Sequence, residues 1–280
     1  MSGDSSLWWD TSWNPVTGCT RGCTYCWARR MAQRLRGRFG YPADDPFRPT
    51  FHPDRLNEPY RWGKPRRVAV CLMGELFEPS LHPDYLPKVF RVMQDTPRHL
   101  YMLLTKVPAV MKARLAWLEK LHVWPLSNVW LGVSAENQAA ADERIPILLQ
   151  TPAAHRFVSL EPLLGPVDLE MEWGQGVGDL VLDTTLGTSR LDWVVVGGEN
   201  GPGARPMNPA WVLSTRDQCW DGGVDFFFKG WGEWAIMGND PERFRRARGH
   251  EFPDGRVVYR VGVKAAGRRL EGRTWDEMPW

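Results

Sequence analysis

Three cysteines stand close together in the segment Gly18-Cys19-Thr20-Arg21-Gly22-Cys23-Thr24-Tyr25-Cys26, with the spacing C-x3-C-x2-C. Three thiolates so placed can hold three irons of a [4Fe–4S] cluster, one thiolate to each iron, and leave the fourth iron free for a small molecule. Zinc is the competing metal. A closed structural zinc site needs four ligands, and no further Cys or His lies nearby; His52 is the nearest. The other two thiols, Cys71 and Cys219, fall inside a predicted strand and a predicted helix and read as small buried hydrophobes. An odd, clustered set of five cysteines in 280 residues argues against a disulfide scaffold and for metal binding or redox chemistry.

The thiols must be held by local structure. A first strand is expected around Leu7–Trp13 and a helix after Cys26, where Trp27, Met31 and Leu35 recur at helical spacing with Ala28, Ala32 and Phe39 alongside. Arginines 29, 30, 34, 36 and 38 take the remaining positions. The cysteines then sit in a strand-to-helix loop, where backbone N–H groups favour thiolate and anionic ligands. Six clear apolar runs follow: Val68–Leu72, Leu100–Leu104, Val129–Val133, Arg156–Leu160, Trp193–Val196 and Asp225–Phe228. They are nearly all apolar rather than alternating, as strands buried on both faces are. Their spacing is that of repeated βαβ units. Helical periodicity fills Pro83–Gln94, Pro108–Leu121, Asn137–Gln150 and Pro209–Trp220, three of them starting at or near Pro. Gly40–Lys64 and Leu164–Arg190 break the rhythm and read as long connections or insertions.

Each predicted strand is followed at once by polar or Gly residues, and active sites of parallel α/β barrels sit at the carboxyl ends of the strands. Those ends supply Glu75, then Lys106, then Ser134 and Glu136, then Glu161, then Glu199, then Lys229 and Trp231.

The C-x3-C-x-aromatic-C pattern after a first strand, with Tyr25 as the aromatic, resembles the signature of the radical S-adenosylmethionine superfamily. The βα repeat is similar to that superfamily's partial (β/α)6 TIM-like barrel. More narrowly, the chain resembles a phage- and prophage-encoded family of that superfamily, over Trp13–Ala28, Leu103–Lys106, Trp130–Asn137, Phe157–Pro166, Asp192–Pro206 and Phe226–Trp234. Arg216–Cys219 and Gly272–Pro279 match it as well. The resemblance implies an enzyme whose [4Fe–4S] cluster, held by Cys19, Cys23 and Cys26, binds S-adenosylmethionine. One electron then gives a 5′-deoxyadenosyl radical that abstracts hydrogen from a substrate. It implies an electron donor such as flavodoxin or ferredoxin. It also implies cofactor contacts from Glu75, Ser134, Glu136, Glu161 and Lys106, with Glu199, Lys229 and Trp231 toward the substrate. The superfamily's Gly-Gly-Glu stretch is replaced here by Met73-Gly74-Glu75, and the literal Gly197-Gly198-Glu199 follows a later strand. Lys106 and Lys229 face a choice between the cofactor or substrate and a salt bridge to Glu75, Glu161 or Glu199.

The net charge of +2, from 35 Lys+Arg against 33 Asp+Glu, gives no overall case for a polyanion. A local one is offered by Arg243, Arg245, Arg246 and Arg248 beside Phe244, near Trp231 and Trp234, which would suit DNA or a nucleotide by phosphate contact and base stacking. Sixteen Trp in the chain point to aromatic-lined surfaces or pockets. No apolar run is long enough to span a bilayer and no signal peptide is seen, so the expectation is a cytoplasmic protein with no membrane contact. Residues 1–238 are expected to form the barrel and 239–280 a C-terminal extension packed on it, with a short strand at Arg256–Val263. Two other readings stand beside the enzyme: a non-catalytic iron–sulfur binding or redox-sensing protein on the same barrel, and a zinc-stabilised nucleic-acid-binding module.

Overall fold

The structure is a computed structural model and describes residues 7–169, 190–237 and 244–279. Twelve strands and six helices are labelled in chain order within those residues. The central sheet has seven strands, all parallel: β1 (Thr11–Trp13), β4 (Arg67–Val70), β5 (Leu100–Thr105), β6 (Val129–Ser134), β7 (His155–Leu160), β8 (Trp193–Gly197) and β9 (Asp225–Gly230), in that spatial order. It curls into a half-barrel in a mixed α/β fold. The six apolar runs and the first strand are all present, the first shortened from the expected Leu7–Trp13. Two tiny strands, β2 (Val16–Thr17) and β3 (Thr50–Phe51), pair antiparallel and tie the long Gly40–Lys64 connection to the cysteine loop.

Helices α2 (Leu86–Asp95), α3 (Pro108–Lys120), α4 (Gln138–Leu149) and α5 (Pro209–Gly222) return the chain between strands. The starts of α4 and α5 are set locally: Asn137 and Asn208 accept from Ala140 N at 3.0 Å and Ala210 N at 2.8 Å, the usual N-cap bonds. The expected Pro83–Gln94 helix divides into a 3-10 turn, Pro83–Tyr85, and α2. No helix links β7 to β8 among the described residues, and 170–189 of the Gly-rich connection lie outside them.

Strand alternation sorts the core into two layers. Tyr101, Leu103, Leu131, Val133, Val158, Val194, Val196 and Phe228 face the helices and join the main core. The opposite, inner face carries Met102, Trp130, Phe157, Trp193, Val195 and Phe227, packed with Trp8 and Met278. Trp8 meets Trp193 and Phe157 edge-on, both with centroids 5.6 Å apart. The lumen of the half-barrel is therefore filled by an aromatic floor, sealed by residues from both ends of the chain.

After β9, β10 (Trp234–Ala235), β11 (Arg248–Glu251) and β12 (Val257–Arg260) form a separate antiparallel sheet in the order β10-β12-β11. A one-turn helix, α6 (Val263–Ala266), follows. The chain then returns to the barrel: Asp276 bridges to Phe227, Trp275 is buried, and the Glu277 carbonyl accepts from Trp193 Nε1 at 2.8 Å.

Candidate functional site

Following the inner face toward the carboxyl ends of the strands, the side chains turn from aromatic to small or polar: Ser134, Ser159, Glu161, Gly197 and Lys229. Above the aromatic floor lies a cavity of about 540 Å³. A space of that size accommodates a cofactor-sized molecule. It is lined by Cys19, Cys23 and Cys26 and also by Glu75, Lys106, Ser134, Glu161, Glu199 and Lys229. Residues from several separate loops thus meet at one place.

The cysteine loop is locked to the sheet by close backbone contact. Gly18 has φ +81° and bridges to Gly74. A Cβ on Gly18 would lie 2.4 Å from the Arg48 carbonyl oxygen, and one on Gly74 would lie 2.6 Å from the Gly18 carbonyl oxygen. Only glycine fits at either position. This explains the single glycine kept in Met73-Gly74-Glu75: it lets the thiol loop lie against the end of β4. Buried Glu78 clamps the loop from below by accepting from Thr20 N at 3.1 Å and Thr20 Oγ1 at 2.9 Å. Cys26 is the N-cap of α1 (Trp27–Arg34) and its Sγ accepts from Arg29 N at 3.3 Å, while Cys19 Sγ accepts from Arg21 N at 3.4 Å. Burial pushes the Cys19 thiol up to about 11. Cys71 also borders the cavity; it is buried with φ +56° just past β4, which ends at Val70 and so stops short of the expected Val68–Leu72; Cys219 is buried in α5. Among the described residues no three His, Cys, Asp or Glu side chains converge on a single-ion site.

Glu75 is buried at the cavity wall and accepts from Phe77 N (3.0 Å), Thr105 Oγ1 (2.8 Å) and Lys106 N (3.2 Å). Burial nevertheless holds its carboxyl above the ordinary range. Lys106 turns its ammonium to the Tyr25 hydroxyl and, at 3.1 Å, to Glu136, which also takes Arg144 at 3.1 Å. Burial pushes the Glu136 carboxyl up, but Lys106 and Arg144 outweigh it and hold it below its usual value. Glu136 therefore stands behind Lys106 rather than on the cavity wall. Across the cavity Glu161 pairs with Lys229 at 2.7 Å and accepts from Ser159 Oγ (3.0 Å) and Trp8 Nε1 (3.2 Å). Gly197 leaves room for that pair, since a Cβ there would lie 3.0 Å from Glu161 Oε1. Glu199 is held by Arg205 at 2.7 Å, and Arg205 in turn lies over the Tyr25 ring.

Trp231 stands apart from the site. It is 2% exposed, edge-on to Phe228, and its indole donates to the Arg269 carbonyl at 2.9 Å. A Trp that follows a strand reads the same in sequence whether it turns into the cavity or away from it. The aromatic support for stacking at the C-terminal basic run fails in the same way: Trp234 and Phe244 are buried, and Arg243 lies outside the described residues. The expected apolar stripe of the first helix is divided. Ala28 and Ala32 are buried, whereas Trp27 and Met31 face solvent. Trp8, Trp9, Ser159 and Glu78 were not legible as site residues. Trp8 bonds Glu161 across 153 residues of sequence, Trp9 meets the Lys229 ammonium from farther still, and only the fold brings them together.

The fold and site define an α/β protein with a carboxyl-end cavity that gathers thiols, carboxylates and ammonium groups. Over residues 5–279 the chain matches the family described as Protein of unknown function (DUF5131), and it belongs to that family. No curated protein and no solved structure matches it. No helix among the described residues is long and apolar enough to cross a membrane.

Proposed function

We propose that this chain is a radical S-adenosylmethionine enzyme on a partial TIM-like barrel, with Cys19, Cys23 and Cys26 as the protein ligands of one [4Fe–4S] cluster. The observation that carries the reading is the shared cavity: three thiols on one wall, with Glu75, Ser134, Glu161 and two lysines around them. The donor set fits a cluster. It is all thiol, it is spread along a loop rather than drawn to one point, and backbone N–H groups already aim at two of the sulfurs. When bound, the cluster and S-adenosylmethionine together supply one-electron chemistry that yields a 5′-deoxyadenosyl radical for hydrogen abstraction.

The chain's own residues bind, orient and exclude water. Glu75 is a buried carboxyl whose three donors fix its direction, and an ammonium group brought to it would supply the missing counter-charge. Glu161 and Lys229 are held against each other, Glu161 also by Trp8 and Lys229 by the Trp9 ring, so neither is free to wander when a ligand enters. The aromatic floor of Trp8, Phe157 and Trp193 closes the site from below, which keeps water from reactive species. Electrons would come from a flavodoxin- or ferredoxin-type donor.

The test is anaerobic reconstitution followed by reduction with dithionite and addition of S-adenosylmethionine. The wild type is expected to release 5′-deoxyadenosine, detected by mass spectrometry. Cys26→Ala should lose both iron and cleavage, while Cys71→Ala and Cys219→Ala keep their iron. Iron loss in Cys71→Ala equal to that in Cys26→Ala would overturn the ligand assignment.

A further inference from the structure

Between Cys19 and Ala43 the chain has six arginines, Arg21, Arg29, Arg30, Arg34, Arg36 and Arg38, and no Lys, Asp or Glu. Elsewhere arginines are commonly neutralised: Arg67 by Asp10, Arg144 by Glu136, Arg205 by Glu199, Arg216 by Glu271, Arg256 by Asp254 and Arg268 by Asp276. None of the six makes an ion pair with a carboxylate among the described residues. Arg29, Arg30 and Arg36 reach only neutral acceptors, the carbonyls of Cys19, Asn200, Ala43 and Asp44 and the Gln33 amide oxygen. The nearby acid Asp44 spends its carboxylate on Arg48 at 2.6 Å. In a chain of net charge +2 this is a concentrated positive field.

The field is organised. Trp27, Arg30, Met31 and Arg34 occupy one outward face of α1 at i, i+3, i+4 and i+7, and all four are exposed, Trp27 by 50%. Arg38, also exposed, follows four residues past the helix end. An eight-residue helix is about 12 Å long, so the strip exceeds one phosphate or carboxylate and suits a ligand with repeated charges. Arg21 and Trp27 are themselves walls of the cavity, beside the three cysteines. Arg30 crosses the mouth to Asn200, another cavity residue.

We infer that this strip binds the backbone of a single-stranded nucleic acid and delivers one base, stacked on Trp27, to the cavity. Guanidinium groups match phosphate geometry in two-point contacts, and an exposed indole beside them gives the sequence-tolerant stacking typical of single-strand binding. A base held in a single strand reaches a buried site without the cost of unpairing. An acidic redox protein would also seek positive charge, but it needs only to dock outside. A strip whose Arg21 guanidinium and Trp27 indole are also cavity walls is what a substrate requires. The inference names the substrate class of the proposed enzyme and so rests on that reading. It also moves the nucleic-acid surface from the C-terminal run to α1.

The experiment measures anisotropy of a labelled mixed-sequence single-stranded DNA with the reconstituted full chain over a series of salt concentrations, and in parallel cleavage of S-adenosylmethionine without DNA. The wild type is expected to bind at low salt. The triple change Arg30→Gln, Arg34→Gln, Arg38→Gln should weaken binding at least tenfold. It should also lower the log–log salt slope by about 2, since each phosphate no longer neutralised removes roughly 0.7 from it. Trp27→Ala should weaken binding about tenfold and Trp27→Phe should recover most of it. Arg246→Gln with Arg248→Gln should change nothing. Cleavage in the triple variant should persist with dithionite. No binding by the wild type, an unchanged slope in the triple variant, or an equal loss in the Arg246/Arg248 variant overturns the inference. So does a triple variant that keeps its DNA affinity and loses only reduction by flavodoxin. Intact DNA binding without cleavage would instead count against the enzyme reading alone.

Discussion

Two parts of this molecule look alike as sequence, an arginine-rich run with aromatics beside it, and differ as structure. In α1, Trp27 and Met31 are turned outward among arginines that no carboxylate neutralises, at the mouth of the cavity. In the C-terminal sheet, Trp234, Phe252 and Val258 form a small buried core, and Phe244 lies edge-on to Tyr259. There Arg256 and Arg260 have acidic partners. The difference lies in what each aromatic does: one set stabilises a fold, the other is left for a ligand. Composition cannot separate them, because an aromatic's position relative to the core is set by distant contacts.

The sharpest way to break this comparison is to exchange aromatics for alanine. Trp234 is buried and donates to the Ala204 carbonyl at 2.8 Å, so Trp234→Ala should cost about 3–5 kcal/mol in denaturant unfolding. Trp27→Ala should cost no more than about 0.5 kcal/mol. Equal losses would mean that Trp27 is a core residue after all.

A second test sharpens the cysteine side. Gly18→Ala forces a side chain onto the Arg48 carbonyl in a left-handed backbone conformation. It should destabilise by roughly 1–3 kcal/mol or more and lower iron uptake on reconstitution. Gly203, which has open space around it, is the control for a left-handed glycine that touches nothing. Its alanine variant should keep full iron content.

Much of the frame could be read in advance. The six apolar runs became strands because burial on both sides removes the ambiguity of alternation, and residues at their carboxyl ends line the cavity wherever they continue the inner face, as Ser134, Glu161 and Lys229 do. Glu136 departs because it lies two residues beyond Ser134, past the end of β6, where its carboxylate meets Lys106 and Arg144. Trp231 departs because Gly198 and Gly232 bring two loops into contact: a Cβ on Gly198 would lie 2.0 Å from the Trp231 carbonyl oxygen. The aromatic floor was invisible because its members come from residue 8 to residue 278.

Glu136 offers a smaller, pH-resolved effect. Its folded carboxyl titrates below the ordinary value, so its bonds to Lys106 and Arg144 contribute stability that is present above the unfolded value, about 4.3, and lost as pH falls through the folded one. Glu136→Gln should therefore cost about 2 kcal/mol near neutral pH, with the gap to wild type closing below about pH 4. A gap that widens in acid would reverse the assignment. Smallest of all, Arg246→Gln should leave stability within about 0.5 kcal/mol, since its side chain is exposed.

Cys19, Cys23 and Cys26 are proposed to hold a cluster, whose fourth iron would then have no protein ligand from this loop. Mössbauer spectroscopy of protein reconstituted with ⁵⁷Fe tests it most directly. The account predicts four irons per chain, one of which changes its spectrum when S-adenosylmethionine is added while the other three do not. Four irons that all ignore S-adenosylmethionine, or a single zinc in their place, would contradict it.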